Sequence, residues 1–237
     1  MILIAETFNA GSPTVRAALQ AGDRGWVEAS LRRQVQTGVD YIECNASGFG
    51  PAEADILRWL VEIVEVAADV PVSVDSADPS LLAQLARGRR RPSLLNAIDA
   101  TGIPPAIAAA VRDGAQLVIQ LRKGARLPGT GEREAWAEEI LTELARQDLP
   151  PASIFLDPVL LPWGADLDAG APLLAFLDWC RSDPRHPQTL VGLSNVSWGH
   201  ADRRRVHRQW LPRLRTAGLD AAILDPFDSA LVAAARD

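Results

Sequence analysis

The chain has 237 residues, 48% of them hydrophobic and 23% charged, with a net charge of −6. That composition is globular, with enough chain to bury a large core. Its negative balance argues against broad binding to nucleic acid or anionic membranes.

The predicted elements alternate along the chain. ILIA (2–5) is the first strand and 26–37 the first helix. YIEC (41–44) is followed by helix 53–67, VPVSV (70–74) by 79–87, and SLLNA (93–97) by 104–113. QLVIQL (116–121) leads to 132–147, SIFL (153–156) to 171–181, TLVGL (189–193) to 203–217, and AAIL (221–224) to 228–236. Continuous apolar strands alternating with helices indicate a parallel sheet covered on both faces. Eight such units close a (β/α)8 TIM barrel, and 237 residues is near its usual size. A doubly wound sheet is the alternative. No linker or low-complexity tract splits the chain, so residues 1–237 are expected to form one domain. RLPGTGERE (126–134) reads as a mobile loop, and it lacks the GK[ST] of a phosphate-binding P-loop.

Cys44 and Cys180 have no partner pattern, which argues against a disulfide framework or a zinc site. Free thiols suit a reducing compartment. The opening MILIAETFNA lacks a basic n-region, so it does not read as a signal peptide. No apolar run approaches the roughly 18 residues of a membrane span. The expected location is the cytoplasm.

The strand ends carry the functional signal. The first strand runs into Glu6 and Asn9. The second contains Glu43 and is followed by Asn45. Asp75 and Ser76 end the third, Asn96 the fourth, with Asp99 just beyond. Gln120, Asp157, Asn195 and Asp225 end the remaining four. In a barrel all these ends share the face where barrel enzymes place their sites. An isolated Asp after a strand is usually a helix cap or turn residue. Here the set is carboxylates and carboxamides, without His and almost without basic residues. Transition-metal chemistry fits poorly; Mg²⁺ fits the carboxylates but not the amides. Ser194 and Ser197 have no nearby His in a nucleophile-elbow pattern, and GLSNV is not G-x-S-x-G. Asp and Asn together suit a planar heterocycle. A carboxylate accepts two parallel N–H bonds, and an amide presents a donor beside an acceptor. The 2-amino-4-oxo edge of a pterin offers that complement.

GLSNVSWGHADRRRVHRQWL, with AGLDAAILDP after it, resembles the strand-seven to strand-eight region of the methyltetrahydrofolate:corrinoid methyltransferases. ILIAETFNA resembles their G-E-R-x-N start, and YIECNASG their D-x-N segment. VSVDSAD, LLNAI and IFLDPVLLP resemble the ends of their strands three, four and six. The resemblance implies a pterin-binding barrel that uses tetrahydrofolate or 5-methyltetrahydrofolate as substrate. It also implies a corrinoid (cobalamin) carried by a partner protein, and a homodimer. By the same resemblance Asp75, Asn96 and Asp157 hold the pterin ring. Asn195 sits near the reacting N5 as the catalytic residue, accepting a hydrogen bond from protonated N5. Asn9, Glu43, Asn45 and Gln120 are further candidates for substrate binding, and Ser194, Ser197, Trp198 and Arg203 for loop contacts.

Dihydropteroate synthase shares this fold, but its strand-seven segment resembles G-x-S-R-K-S-F, where this chain has GLSNVSW. A folate-binding barrel without turnover is another reading. This chain departs from the family at Thr7, where an Arg is usual, at Glu43, where an Asp is usual, and at Trp198. Trp163 and Trp198 suit stacking on a folate tail, a floor for a partner, or core packing. Arg203, Arg204, Arg205 and Arg208 suit an acidic partner, a glutamate tail or a solvated helix face.

Overall fold

A computed structural model of the chain describes residues 1–129 and 131–236. Thr130, within the loop expected at 126–134, and Asp237 lie outside the described residues. In chain order the elements are β1 (Ile2–Asn9), α1 (Pro13–Gln20), α2 (Arg24–Val35), β2 (Tyr41–Asn45), α3 (Glu53–Ala67), β3 (Val72–Asp75), α4 (Pro79–Ala86) and β4 (Leu94–Asp99). They continue with α5 (Pro105–Arg112), β5 (Gln116–Gln120), α6 (Glu132–Arg146), β6 (Ile154–Asp157), α7 (Ala171–Ser182), β7 (Gln188–Gly192), α8 (Arg203–Ala217), β8 (Ala221–Leu224) and α9 (Ser229–Arg236). The strands form a closed parallel barrel in sequence order, completed by β1 against β8 with Ile2 opposite Ala221 and Ala5 opposite Leu224. The (β/α)8 expectation is borne out. Among the described residues no helix is long and apolar enough to cross a membrane.

Side chains alternate across each strand. One set of positions points into the barrel. Below the mouth that set includes an apolar layer, in which Ile4, Leu94, Val118, Phe155, Leu190, Ala221 and Ile223 pack together. The other set faces the helices and joins the larger apolar cluster, with Ile42, Leu95, Leu117, Leu156 and Val191 among its members. Cys44 and Cys180 are both buried and unbonded.

Three local differences from the expected elements have simple causes. β1 runs on to Asn9, because its register with β2 shifts between Ala5 and Phe8 and so absorbs extra residues. β3 starts at Val72, since Pro71 supplies only a carbonyl, to Ile42 N at 3.0 Å. α1 was not anticipated, although Pro13 starts it and Val15, Ala18 and Leu19 bury one face at helical spacing. The described part of the loop around 126–134 is tied down. Arg126 pairs with Glu132 at 2.5 Å, and its guanidinium lies 4.9 Å from the Trp136 ring centroid.

The loop between β6 and α7 is held by α8. Trp210, fully buried, donates from Nε1 to the Gly164 carbonyl at 2.7 Å and stacks on Trp163 with centroids 5.5 Å apart. Trp163 is thereby part of the scaffold. A Cβ at Gly170 would come within 2.2 Å of the Trp210 ring, so no other residue fits there without displacing the indole. Large aromatic-to-alanine changes in a packed core cost about 3–5 kcal/mol. Trp210→Ala is expected to lose stability on that scale in urea unfolding.

Candidate functional site

Parallel register sets the site out in rows. Asn9 lies opposite Asn45, Asn45 opposite Asp75, and Asp75 opposite Asn96, so β1 to β4 contribute one lateral row of polar side chains. On the far side of the barrel Gln120 lies opposite Asp157. These six line a cleft of about 1100 Å³ at the C-terminal mouth. Glu6, Glu43, Ser194, Asn195, Trp198 and Arg203 line it too. Ser197 is outside the lining, fully buried behind the strand-seven turn, and so is Ser76 at the end of β3. Asp99 is also elsewhere: it accepts from the backbone of Thr101 (3.0 Å) and Gly124 (3.0 Å), as a loop cap.

The floor is made of buried, hydrogen-bonded carboxyls and amides. Asn45 donates from Nδ2 to Asp75 Oδ2 at 2.8 Å, and its Oδ1 accepts from Ser47 N at 2.8 Å, which fixes the amide. Asp157 Oδ1 accepts from Val159 N at 2.8 Å and Oδ2 from Gln120 Nε2 at 3.3 Å. Burial pushes Asp157 up to about 6 despite those donors. Burial also pushes Asp75 up to about 7, against the lowering effect of Asn45 and with the nearby Glu53 and Glu6 carboxyls adding to the rise. Glu43 is 2% exposed and its Oε2 has no hydrogen-bond partner among the described residues. Burial first, then Asp75 and Glu6, hold it well above the usual carboxylate range and favour the neutral acid.

The run after β7 is a 3-10 helical turn, Leu193–Ser197, not an extension of the strand. Gly192 precedes it because Asn195 folds back over that position, where a Cβ would come within 3.0 Å of Asn195 Nδ2. Ser194 donates to Glu6 Oε2 and so ties the turn to β1. Ser197 Oγ donates to the Ser194 carbonyl at 3.1 Å and accepts from Arg203 Nε at 3.0 Å. His207 Nε2 lies 2.7 Å from the same hydroxyl. Ser197 has one proton and it is already placed, so full satisfaction assigns the proton of that contact to His207 Nε2. Burial, then the charge of Arg203, pushes His207 down to about 4, so the ring is neutral. The hydrogen bonds of this turn engage Ser194, Ser197, Arg203 and His207, and none uses the Asn195 side chain. That amide is left for the cleft.

Sequence reasoning missed His207 and Arg16, which also line the cleft together with Arg204 of the basic cluster. The strand ends themselves bring no His and no Arg to the cleft; these arrive from the helices. Arg203 and His207 stand four apart on one face of α8, a spacing that was legible. Of the basic cluster, Arg208 pairs with buried Asp228 at 2.6 Å and joins α8 to the start of α9.

The sequence profile of the pterin binding enzymes matches residues 26–225. The chain belongs to the pterin binding enzyme family. It is 26% identical over 231 residues to the methylcorrinoid:tetrahydrofolate methyltransferase of Eubacterium limosum, covering 95% of this chain and 85% of that protein. In structure it is similar to the Yersinia pestis dihydropteroate synthase bound to a pterine-sulfa conjugate. The TM-score is 0.70 at 18% identity, over 99% of this chain and 91% of that one. The Stenotrophomonas maltophilia dihydropteroate synthase gives a TM-score of 0.71 at 15% identity, over 99% and 90%. At those identities the two synthases share the fold.

The raised carboxyls give this pterin binding enzyme a signature in pH. Asp75 and Asp157 hold protons in the folded state up to about 7 and about 6, whereas the unfolded chain releases them near pH 4. Between those limits the folded state binds the excess protons, so stability falls as pH rises through the window. Asp75→Asn is expected to flatten the upper part of that fall in urea unfolding at about pH 5, 6, 7 and 8. An unchanged pH slope would contradict it.

Proposed function

We propose that this protein transfers a methyl group between N5 of a tetrahydrofolate and the cobalt of a corrinoid carried by a separate partner protein. The observation that carries the reading is the unengaged Asn195 amide, held on a rigid turn in the same cleft as Asp75, Asn96 and Asp157. The name of the Eubacterium limosum relative supports the same pair of substrates.

The donor set fits a pterin. Each carboxylate has about four acceptor sites, and protein donors occupy only some of those on Asp75 and Asp157. The remaining sites suit the 2-amino and ring N–H groups. Asn96, whose amide is not among the hydrogen bonds to the floor carboxylates, supplies a donor beside an acceptor for the 4-oxo region. Gln120 and Asn45 hold the two aspartates in place.

N5 of methyltetrahydrofolate is a poor leaving group until it carries positive charge. Transfer breaks the N5–methyl bond, and its electron pair returns to N5. In that direction the cobalt of the partner's corrinoid is the nucleophile that takes the methyl group, and the proton on N5 stays with the product; in the reverse direction the N5 lone pair takes the methyl group and the electron pair of the broken bond stays on the corrinoid. Asn195 accepts a hydrogen bond from protonated N5 through its side-chain oxygen. That bond strengthens as the proton is committed to N5, so it stabilises the transition state more than the ground state. Ser194, Ser197 and Arg203 contribute by fixing the turn, so that little reorganisation remains at the moment of reaction.

Titration with 5-methyltetrahydrofolate, followed by single-turnover transfer to Co(I) cobalamin, tests the proposal. Asn195→Ala is expected to slow transfer by roughly 10²-fold with a smaller effect on binding. Tight binding without any transfer would favour a folate-binding subunit, and unchanged transfer in the variant would remove Asn195 from its role.

A further inference from the structure

The cleft is chemically divided. Its floor is made of carboxylates and amides. Its mouth carries an aromatic ring and positive charge. Trp198 lines the cleft yet is 80% exposed. Its backbone N–H is bonded to the Asn195 carbonyl at 3.2 Å, so the indole is mounted on the same turn as Asn195. A large apolar ring left in water at the edge of a concave site is an unfilled contact.

Two arginines of the cleft lining face it without a carboxylate partner among the described residues. Arg16 is held by neutral groups, donating to the Gly48 carbonyl at 3.0 Å with its guanidinium 4.8 Å from the Phe49 ring centroid. Arg203 is held by the Ser197 hydroxyl and the Ser194 carbonyl. Neutral anchors position a guanidinium without cancelling its charge, which leaves it available to an anion. The volume agrees. About 1100 Å³ is at the upper limit of sites for drug-sized ligands and exceeds what a bicyclic ring needs.

We propose that Trp198 and Arg16, with the charge of Arg203, form a separate subsite for an aryl-carboxylate tail. The indole stacks on the aminobenzoyl ring of the reduced folate and the guanidinium binds glutamate carboxylate. The protein therefore selects the conjugated folate over the bare pterin. This rests on the pterin reading of the floor.

The test is calorimetric titration with two ligands, 5-methyltetrahydrofolate and a tail-less 5-methyltetrahydropterin. Wild-type protein is expected to bind the conjugate at least about tenfold more tightly. Trp198→Ala is expected to remove about tenfold of affinity for the conjugate and none for the tail-less pterin, with Trp198→Phe restoring most of it. Arg16→Gln is expected to act the same way and to lessen the salt dependence of conjugate binding. Both side chains are exposed, so neither change endangers folding. Equal affinity of wild type for the two ligands, or equal losses for both in the variants, would overturn the subsite while leaving the pterin floor intact. Failure of wild type to bind either ligand would overturn the floor reading and this inference together.

Discussion

Closure of the barrel is the constraint on which everything else depends. Once β8 pairs with β1, each strand has a fixed lateral neighbour and every second side chain must point inward. Inward positions near the N-terminal ends can be apolar and pack. Those at the C-terminal ends must meet one another in a space with limited water. Glu6, Glu43, Asp75 and Asp157 are there because their strands place them there. Their raised proton affinities follow from desolvation as the largest cause. The hydrogen bonds from Asn45 and Gln120 moderate that cost without removing it. Such a floor is stabilised by a ligand that brings N–H groups, because each one replaces a missing solvent contact.

The barrel supplies the floor, and the loops and helices supply the remainder. The strand-seven turn is rigid because one buried hydroxyl, Ser197, collects three contacts from Ser194, Arg203 and His207. Charge is thereby separated by depth, with acids below and arginines at the mouth. A chain with net charge −6 can in this way present a locally positive entrance.

Much of this was legible in the sequence, because the signals were local. Apolar runs marked the strands, and polar residues directly after them marked the floor. Asp75, Asn96, Asp157 and Asn195 needed only the assumption of a barrel to be placed together. What was not legible depended on distance in sequence. Arg16 is held from Gly48 and Phe49, thirty-odd positions away, and nothing in the run around it announces a cleft. The Arg203–His207 spacing was legible, but that both side chains converge on Ser197 appeared only in the fold. Trp163 could not be assigned between ligand stacking, a partner floor and core packing, because a Trp in a loop on the site face does not show that its partner is Trp210. Asp99 read as a site residue because a strand-end carboxylate that caps a loop has the same local pattern as one that lines a cleft.

The bond between Ser194 and Glu6 joins residues 188 positions apart. It bridges the first strand and the turn after the seventh, on either side of the last strand to close. The tie from the Asn195 turn to the first strand therefore cannot form in a partly assembled barrel, however well formed its early strands are. A species lacking β8 would hold the row from Asn9 to Asn96 but not the bond that sets the turn against it. Assembly is thus its own checkpoint: a molecule that retains ligand at both ends of the cleft has already closed. Bound ligand, by mass action, withdraws population from every open form at once.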